Sequence, residues 1–209
     1  EHVRIKGLDA LKEAKKRSKR IIFLGCHAGS WEISNAITAN MFPEGGYAML
    51  AQPQSRYKKL DSYLNDLRRK KGINVIRVNE LKKLIEQLSS GRALGTIADH
   101  GGKDGVAVEF FGKLAMTPVG SIRLAKRTGS SIILAFMRRV KGAEHEMIFK
   151  PYELVVTGDE EVDYRTNLTN INRVFEGWIK EYPHEYLWFF KRWKYSPQQN
   201  VLILSDAKM

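Results

Sequence analysis

Short apolar runs rich in β-branched residues recur along this chain, separated by stretches whose apolar positions fall three and four residues apart. The runs over 21–26, 47–52, 73–78, 93–98, 132–138 and 145–150 are predicted as buried strands, the last two forming a hairpin through Lys141 and Gly142. A short strand over 106–111 is also expected. Helical spacing predicts helices over 30–41, 56–71, 80–88, 118–128 and 168–182, and the chain opens on another, with Leu8, Leu11 and Ala14 at helical spacing. Within 56–71 the apolar positions are Leu60, Tyr63, Leu64 and Leu67, and Gly72 stands where a C-cap belongs. The last helix carries Leu168, Ile171, Phe175, Trp178, Ile179 and Tyr182 on one stripe. Strands alternating with helices predict one α/β domain across 1–209, a mixed, mostly parallel sheet flanked by helices. No repeat, low-complexity tract or linker interrupts it.

The apolar runs have the length of buried strands and fall far short of the ~20 residues that span a bilayer. The basic start lacks the apolar segment of a signal peptide. A single cysteine, Cys26, excludes an internal disulfide and a multi-cysteine zinc site. Charge changes the picture more. Lys and Arg number 35 against 23 Asp and Glu, a net charge of +12, so an anionic partner is expected: a nucleic acid, an acidic membrane surface, or an acidic substrate or carrier.

The loops at strand ends are where α/β sheets collect chemistry. His27 leaves the end of the first predicted strand and Glu32 falls in the first turn of the following helix, with Gly29 permitting the turn between them. A carboxylate there can hold one imidazole nitrogen while the other takes a proton, the base-and-orienter half of a triad without its serine. The bland alternative is a core histidine beside a glutamate favoured by the helix dipole. Cys26 points to the face opposite His27, into the core. After the strand over 93–98, Asp99 and His100 precede two glycines; Asp99 could meet a substrate, orient a cation or only cap a turn. Arg68 lies at the edge of an apolar stripe, aimed at the sheet's end or snorkelling along the surface. His27, Asp99 and His100 are too few ligands at useful spacing for a metal hydrolase.

Taken in order, these segments resemble the lysophospholipid acyltransferase superfamily and, within it, the lipid A lauroyl/myristoyl acyltransferase family. His27 and Glu32 match the family's H-x4-D/E motif in its Glu form, in a segment similar to "HxGNWE" that holds Gly29 and Trp31. Arg68 falls where the family places an arginine, Asp99-His100 matches "DQ/DH", and Val108 to Gly112, with Phe110 and Phe111, resembles "vpFFG". Trp188 and the run from Lys191 through Arg192 to Lys194 resemble the closing "W…RWK". Departures are Gln52 before Pro53 in place of arginine, Ser30 for asparagine and His100 for glutamine.

The resemblance implies a glycerol-3-phosphate-acyltransferase-like fold and direct acyl transfer, without an acyl-enzyme, from an acyl-carrier-protein or CoA thioester to a lipid A precursor hydroxyl. His27 would be the general base, assisted by Glu32; Arg68 and Asp99 would serve the oxyanion or substrate. Gly29, Trp31, Phe110, Phe111 and Arg192 are candidate acyl or acceptor contacts. It implies no metal and no cofactor beyond the thioester co-substrate. The partners implied are acyl carrier protein, the lipid substrate and an anionic membrane surface at the cytoplasmic face of the bacterial inner membrane. This chain would be peripheral there, because it lacks the family's N-terminal membrane helix. Rival readings are another lipid acceptor, such as a phosphatidylinositol mannoside, a lysophospholipid or an ornithine lipid, and a basic nucleic-acid binder. The latter is disfavoured because aromatics interleave with basic residues only at 191–195.

Overall fold

A computed structural model describes residues 2–42 and 45–197; the expected domain span of 1–209 runs past them. In chain order the elements are β1 (Val3–Lys6), α1 (Leu8–Arg17), β2 (Ile21–Gly25), α2 (Trp31–Asn40), β3 (Tyr47–Ala51), α3 (Lys58–Lys70), β4 (Asn74–Arg77) and α4 (Leu81–Ser89). They continue with β5 (Ala93–Ile97), β6 (Val106–Phe110), β7 (Lys113–Thr117), α5 (Gly120–Thr128), β8 (Ser131–Lys141), β9 (Glu144–Tyr152) and α6 (Glu160–Glu181).

Seven strands form one sheet in the order β1-β9-β8-β2-β5-β3-β4. From β8 to β4 all pairings are parallel; β8–β9 is antiparallel, and β1 joins β9 in parallel, so the sheet is mixed and mostly parallel as the alternation of strands and helices predicts. Two short elements escape the sequence reading. β1 is a four-residue edge strand with alternating burial, and β7 pairs with β6 as a separate two-stranded ribbon. The final helix starts at Glu160, eight residues before its apolar stripe becomes continuous, because Asp159 caps it by accepting from the N–H groups of Glu161 and Val162.

Alternation along β2 splits the interior into two cores. Ile22, Leu24 and then Cys26 face α4, α5, α6 and the β6–β7 ribbon, whereas Ile21 and Phe23 face α1 and α2. Helix α3 differs from the others. The predicted helix forms, but none of its residues joins either core, and Leu60, Tyr63 and Leu67 stay exposed. Its ties are polar: Asn65 is its buried residue, Arg68 reaches Glu32, and Asp61 accepts from Arg77 at 2.6 Å.

Phe175 on α6 is fully buried between the ribbon and the sheet. Phe175→Ala is expected to lower unfolding free energy by about 3–5 kcal/mol in urea titrations. Buried Asp163 sits at the start of the same helix, where it accepts from Lys126 Nζ at 2.5 Å and from the Thr157 N–H at 2.6 Å. Lys126 and the Thr157 groups hold its carboxyl below the usual carboxylate range. Such a group stabilises the fold above its unfolded pKa of about 3.9, and the contribution fades as pH drops toward the folded value. Wild-type stability should therefore fall more steeply than that of Asp163→Asn as urea midpoints are followed from neutral pH into the acid range.

Candidate active site

Strands β2 and β5 lie side by side in parallel, with Gly25 opposite Ile97. Two residues past each of those partners come His27 and Asp99, so the register alone brings them together. The fully buried Asp99 carboxylate accepts twice: from the backbone N–H of His27 at 3.0 Å and from the ring Nδ1 at 2.8 Å. A carboxylate oxygen only accepts, so the ring proton sits on Nδ1 and the Nε2 lone pair is left for a substrate proton. The imidazole is about one-fifth exposed, stacked on Phe190 with centroids 4.7 Å apart and met edge-on by Trp31 at 5.6 Å.

The turn that carries His27 is pinned from several sides. The Gly29 N–H donates to the Glu185 carbonyl at 2.8 Å and the Leu187 N–H to the His27 carbonyl at 2.9 Å, while Ala28 bridges Tyr186 in antiparallel fashion. Gly29 has φ +63°, and a Cβ there would stand 1.5 Å from the Met137 carbonyl oxygen. Glycine is therefore required by both conformation and space.

Glu32, expected to hold the imidazole, is committed elsewhere: Arg68 donates to it through Nε at 3.1 Å and also through Nη2, while Arg68 Nη1 donates to Asn65 at 2.9 Å. The carboxylate on the His27 ring is that of Asp99. Five positions separate His27 from Glu32 and seventy-two separate it from Asp99, yet strand register decides which carboxylate arrives. The β2–β5 pairing was the missing signal, since both residues follow the carboxyl ends of equal-length strands.

The other expected contacts divide. Trp31 lies at the mouth and Gly29 makes its turn. Phe111 is half-buried against Phe110 and Trp188, and its N–H donates to Glu176 at 2.8 Å. Phe110 and Arg192 do not line the mouth, because both side chains are fully buried. Phe110 fills the core, and Arg192 lies over its ring while donating to the Met116 carbonyl at 2.8 Å and to Thr117 Oγ1 at 2.6 Å. Their aromatic and basic character suited a binding groove, but here it fastens the segment after α6 to the β6–β7 ribbon.

The groups around the pair are tuned by burial. Burial raises the Cys26 thiol well above its ordinary value, with Asp99 adding to it, so the sulfur stays protonated and inert. Burial also lowers the His100 imidazole and the Arg192 guanidinium, and raises the Tyr186 phenol, which Asp99 raises further. Among the described residues, no cluster of three or more His, Cys, Asp or Glu side chains could hold a metal ion. A narrow crevice of about 20 Å³ adjoins the turn, lined in part by Ala28, Trp31, Asn35 and Tyr47.

A carboxylate-held imidazole at the carboxyl edge of a parallel sheet is how an α/β enzyme builds a general base. The chain belongs to the bacterial lipid A biosynthesis acyltransferase family, whose sequence profile matches residues 1–195. It is 24% identical over 200 residues to the lipid A biosynthesis palmitoleoyltransferase of Escherichia coli (strain K12), covering 92% of this chain and 62% of that relative. The lipid A biosynthesis lauroyltransferase of the same strain is 24% identical over 201 residues, with the same coverage. A lipid A biosynthesis acyltransferase of Shigella flexneri matches equally, at 24% over 200 residues. The chain thus spans 62% of the length of these curated relatives.

Nitrogen-15 NMR of histidine-labelled protein is expected to show the neutral His27 ring protonated at Nδ1, and Asp99→Asn to disturb that tautomer. Glu32→Gln, which leaves the Asp99 bonds in place, should not. Gly29→Ala should destabilise the fold by roughly 2–4 kcal/mol in urea titrations, from overpacking and a strained φ combined.

Proposed function

We propose that this protein transfers a fatty acyl group from an acyl-carrier-protein or CoA thioester to a hydroxyl of a lipid A precursor, at the cytoplasmic face of the bacterial inner membrane. The observation that carries this reading is the His27–Asp99 pair, set at the motif where the chain matches its family. The acceptor hydroxyl attacks the thioester carbonyl while His27 Nε2 takes its proton, and the Asp99 carboxylate balances the resulting imidazolium. Collapse of the tetrahedral intermediate breaks the C–S bond, and the imidazolium returns its proton to the leaving thiolate. No acyl-enzyme forms, and the inert Cys26 thiol is consistent with that.

Glu32 and Arg68 act as a unit in this scheme. The bidentate contact holds the guanidinium beside the mouth, where it can meet the thioester oxyanion or a phosphate of the acceptor. Glu32 thus assists through Arg68 rather than through the imidazole. Lipid A precursors bear phosphates and acyl carrier protein is acidic, so the +12 charge favours both partners.

Incubation with acyl-carrier-protein thioesters and a tetraacylated lipid A precursor, read by mass spectrometry, tests the proposal. His27→Ala and Asp99→Asn should each lower turnover by about 10²- to 10⁴-fold. Undiminished product from His27→Ala would remove it as the base, and acylation of only some other lipid would reassign the acceptor. Glu32→Gln and Arg68→Ala should lose similar activity, and the double variant little more than either alone, because one pair is broken in all three.

A further inference from the structure

Helix α3 bears an apolar stripe that no other described residue buries. Leu60, Tyr63 and Leu67 follow one another at helical spacing with 52%, 60% and 41% of their surface exposed, and Tyr57, just before the helix, is exposed as well. Helices α4 and α5 bury theirs, through Leu84 and Leu88 and through Ile122 and Ala125. The one residue of α3 that is fully buried is polar, Asn65; Leu64 is half-buried, and the Arg68 head reaches Glu32.

Its charge selects the occupant. From Arg56 to Lys71 there are seven basic residues against two acids, and both acids are already matched: Asp61 by Arg77 and Asp66 by Arg69, each at 2.6 Å. An apolar stripe with tyrosines along it and lysines at both ends is the pattern of a helix lying in the headgroup layer of an anionic bilayer. A second exposed ring supports that orientation. Phe189 is 95% exposed and is the chain neighbour of Phe190, which stacks on His27. Ile33, next to Glu32, is also exposed. Exposed apolar side chains therefore stand on α2, on α3 and on the segment after α6, the elements that carry Glu32, Arg68 and Phe190.

We propose that α3 lies in the surface of an anionic lipid bilayer, Leu60, Tyr63 and Leu67 inserted and the flanking lysines on lipid phosphates, and so holds the His27 mouth against the membrane. The inference rests on the membrane-surface part of the proposed function and not on its acyl-transfer chemistry. Because Arg68 leaves the same helix toward Glu32, docking α3 sets the Glu32–Arg68 pair and the imidazole at the depth of the lipid headgroups.

Labelling tests this directly, since the one native cysteine, Cys26, is buried and a thiol dye reports from an introduced site. Tyr63→Cys and Val156→Cys are each labelled with an environment-sensitive nitrobenzoxadiazole and mixed with vesicles of phosphatidylcholine containing phosphatidylglycerol. Val156 is 63% exposed and follows Tyr152, which pairs with Ile132 at the end of the sheet opposite His27. The dye at 63 should shift to the blue and brighten several-fold, reversibly with salt, and the dye at 156 should not. Leu60→Glu with Leu67→Glu should lower co-sedimentation of the unlabelled protein with these vesicles by at least about tenfold while its circular dichroism stays unchanged.

A dye at 63 that stays in water would overturn the proposal, as would equal responses at both positions or a response to acyl carrier protein but not to vesicles. So would undiminished co-sedimentation of the double glutamate variant. Removal of 198–209 should leave the vesicle response intact; its loss would assign the docking to that tail and overturn the proposal. Docking on vesicles without acylation of any lipid acceptor would sustain this proposal and refute the functional one. Acyl transfer to a detergent-dispersed acceptor without docking would do the reverse.

Discussion

A buried carboxylate is costly unless its oxygens are bonded, and Asp99 meets that condition by taking two hydrogen bonds from one residue. One fixes the backbone of the turn after β2 and the other fixes the ring that the turn carries. Position and tautomer of the imidazole are thus set by a single side chain from the neighbouring strand. The rest of the local structure serves this contact: the β2–β5 register delivers the two residues, Gly29 lets the chain reverse beneath Met137, and Phe190 and Trp31 wall the ring. Loss of the carboxylate would leave the same histidine on the same loop with no preference between its nitrogens.

Around this centre the charges are arranged in separate pairs. Glu32 and Arg68 face one another on α2 and α3, and Lys126 with Asp163 ties α5 to α6. Arg138 and Lys6 converge on Glu146 across the antiparallel edge of the sheet, and these two cations hold that carboxyl below its ordinary range. These acids are thus matched at the joints between elements, within a chain whose net charge is +12.

The architecture was legible because its signals are local. Apolar runs of strand length, helical stripes, and Gly72 as helix punctuation need no knowledge of the partner strand. Where a signal was short or capped by polar residues it was missed, as with β1, β7 and the first turns of α6. The position of His27 at a strand end was legible too, since a histidine leaving a buried strand is a sequence feature. Its carboxylate was not, because strand order is absent from the sequence and the H-x4-E spacing drew attention to the nearer acid. The same limit applies to Arg192 and Phe110. Side-chain chemistry suggested a groove, whereas a basic head can be buried when carbonyl and hydroxyl oxygens receive it. On α3 the helical spacing was legible, whereas the exposure of Leu60, Tyr63 and Leu67 was not.

The contacts of Glu185, Tyr186 and Leu187 with the His27 turn join positions far apart in the sequence. Every strand described in the sheet lies before α6, so a chain can form that sheet before the segment that clasps the His27 turn has been made. A product cut short after α6 would keep its sheet and lose the clasp.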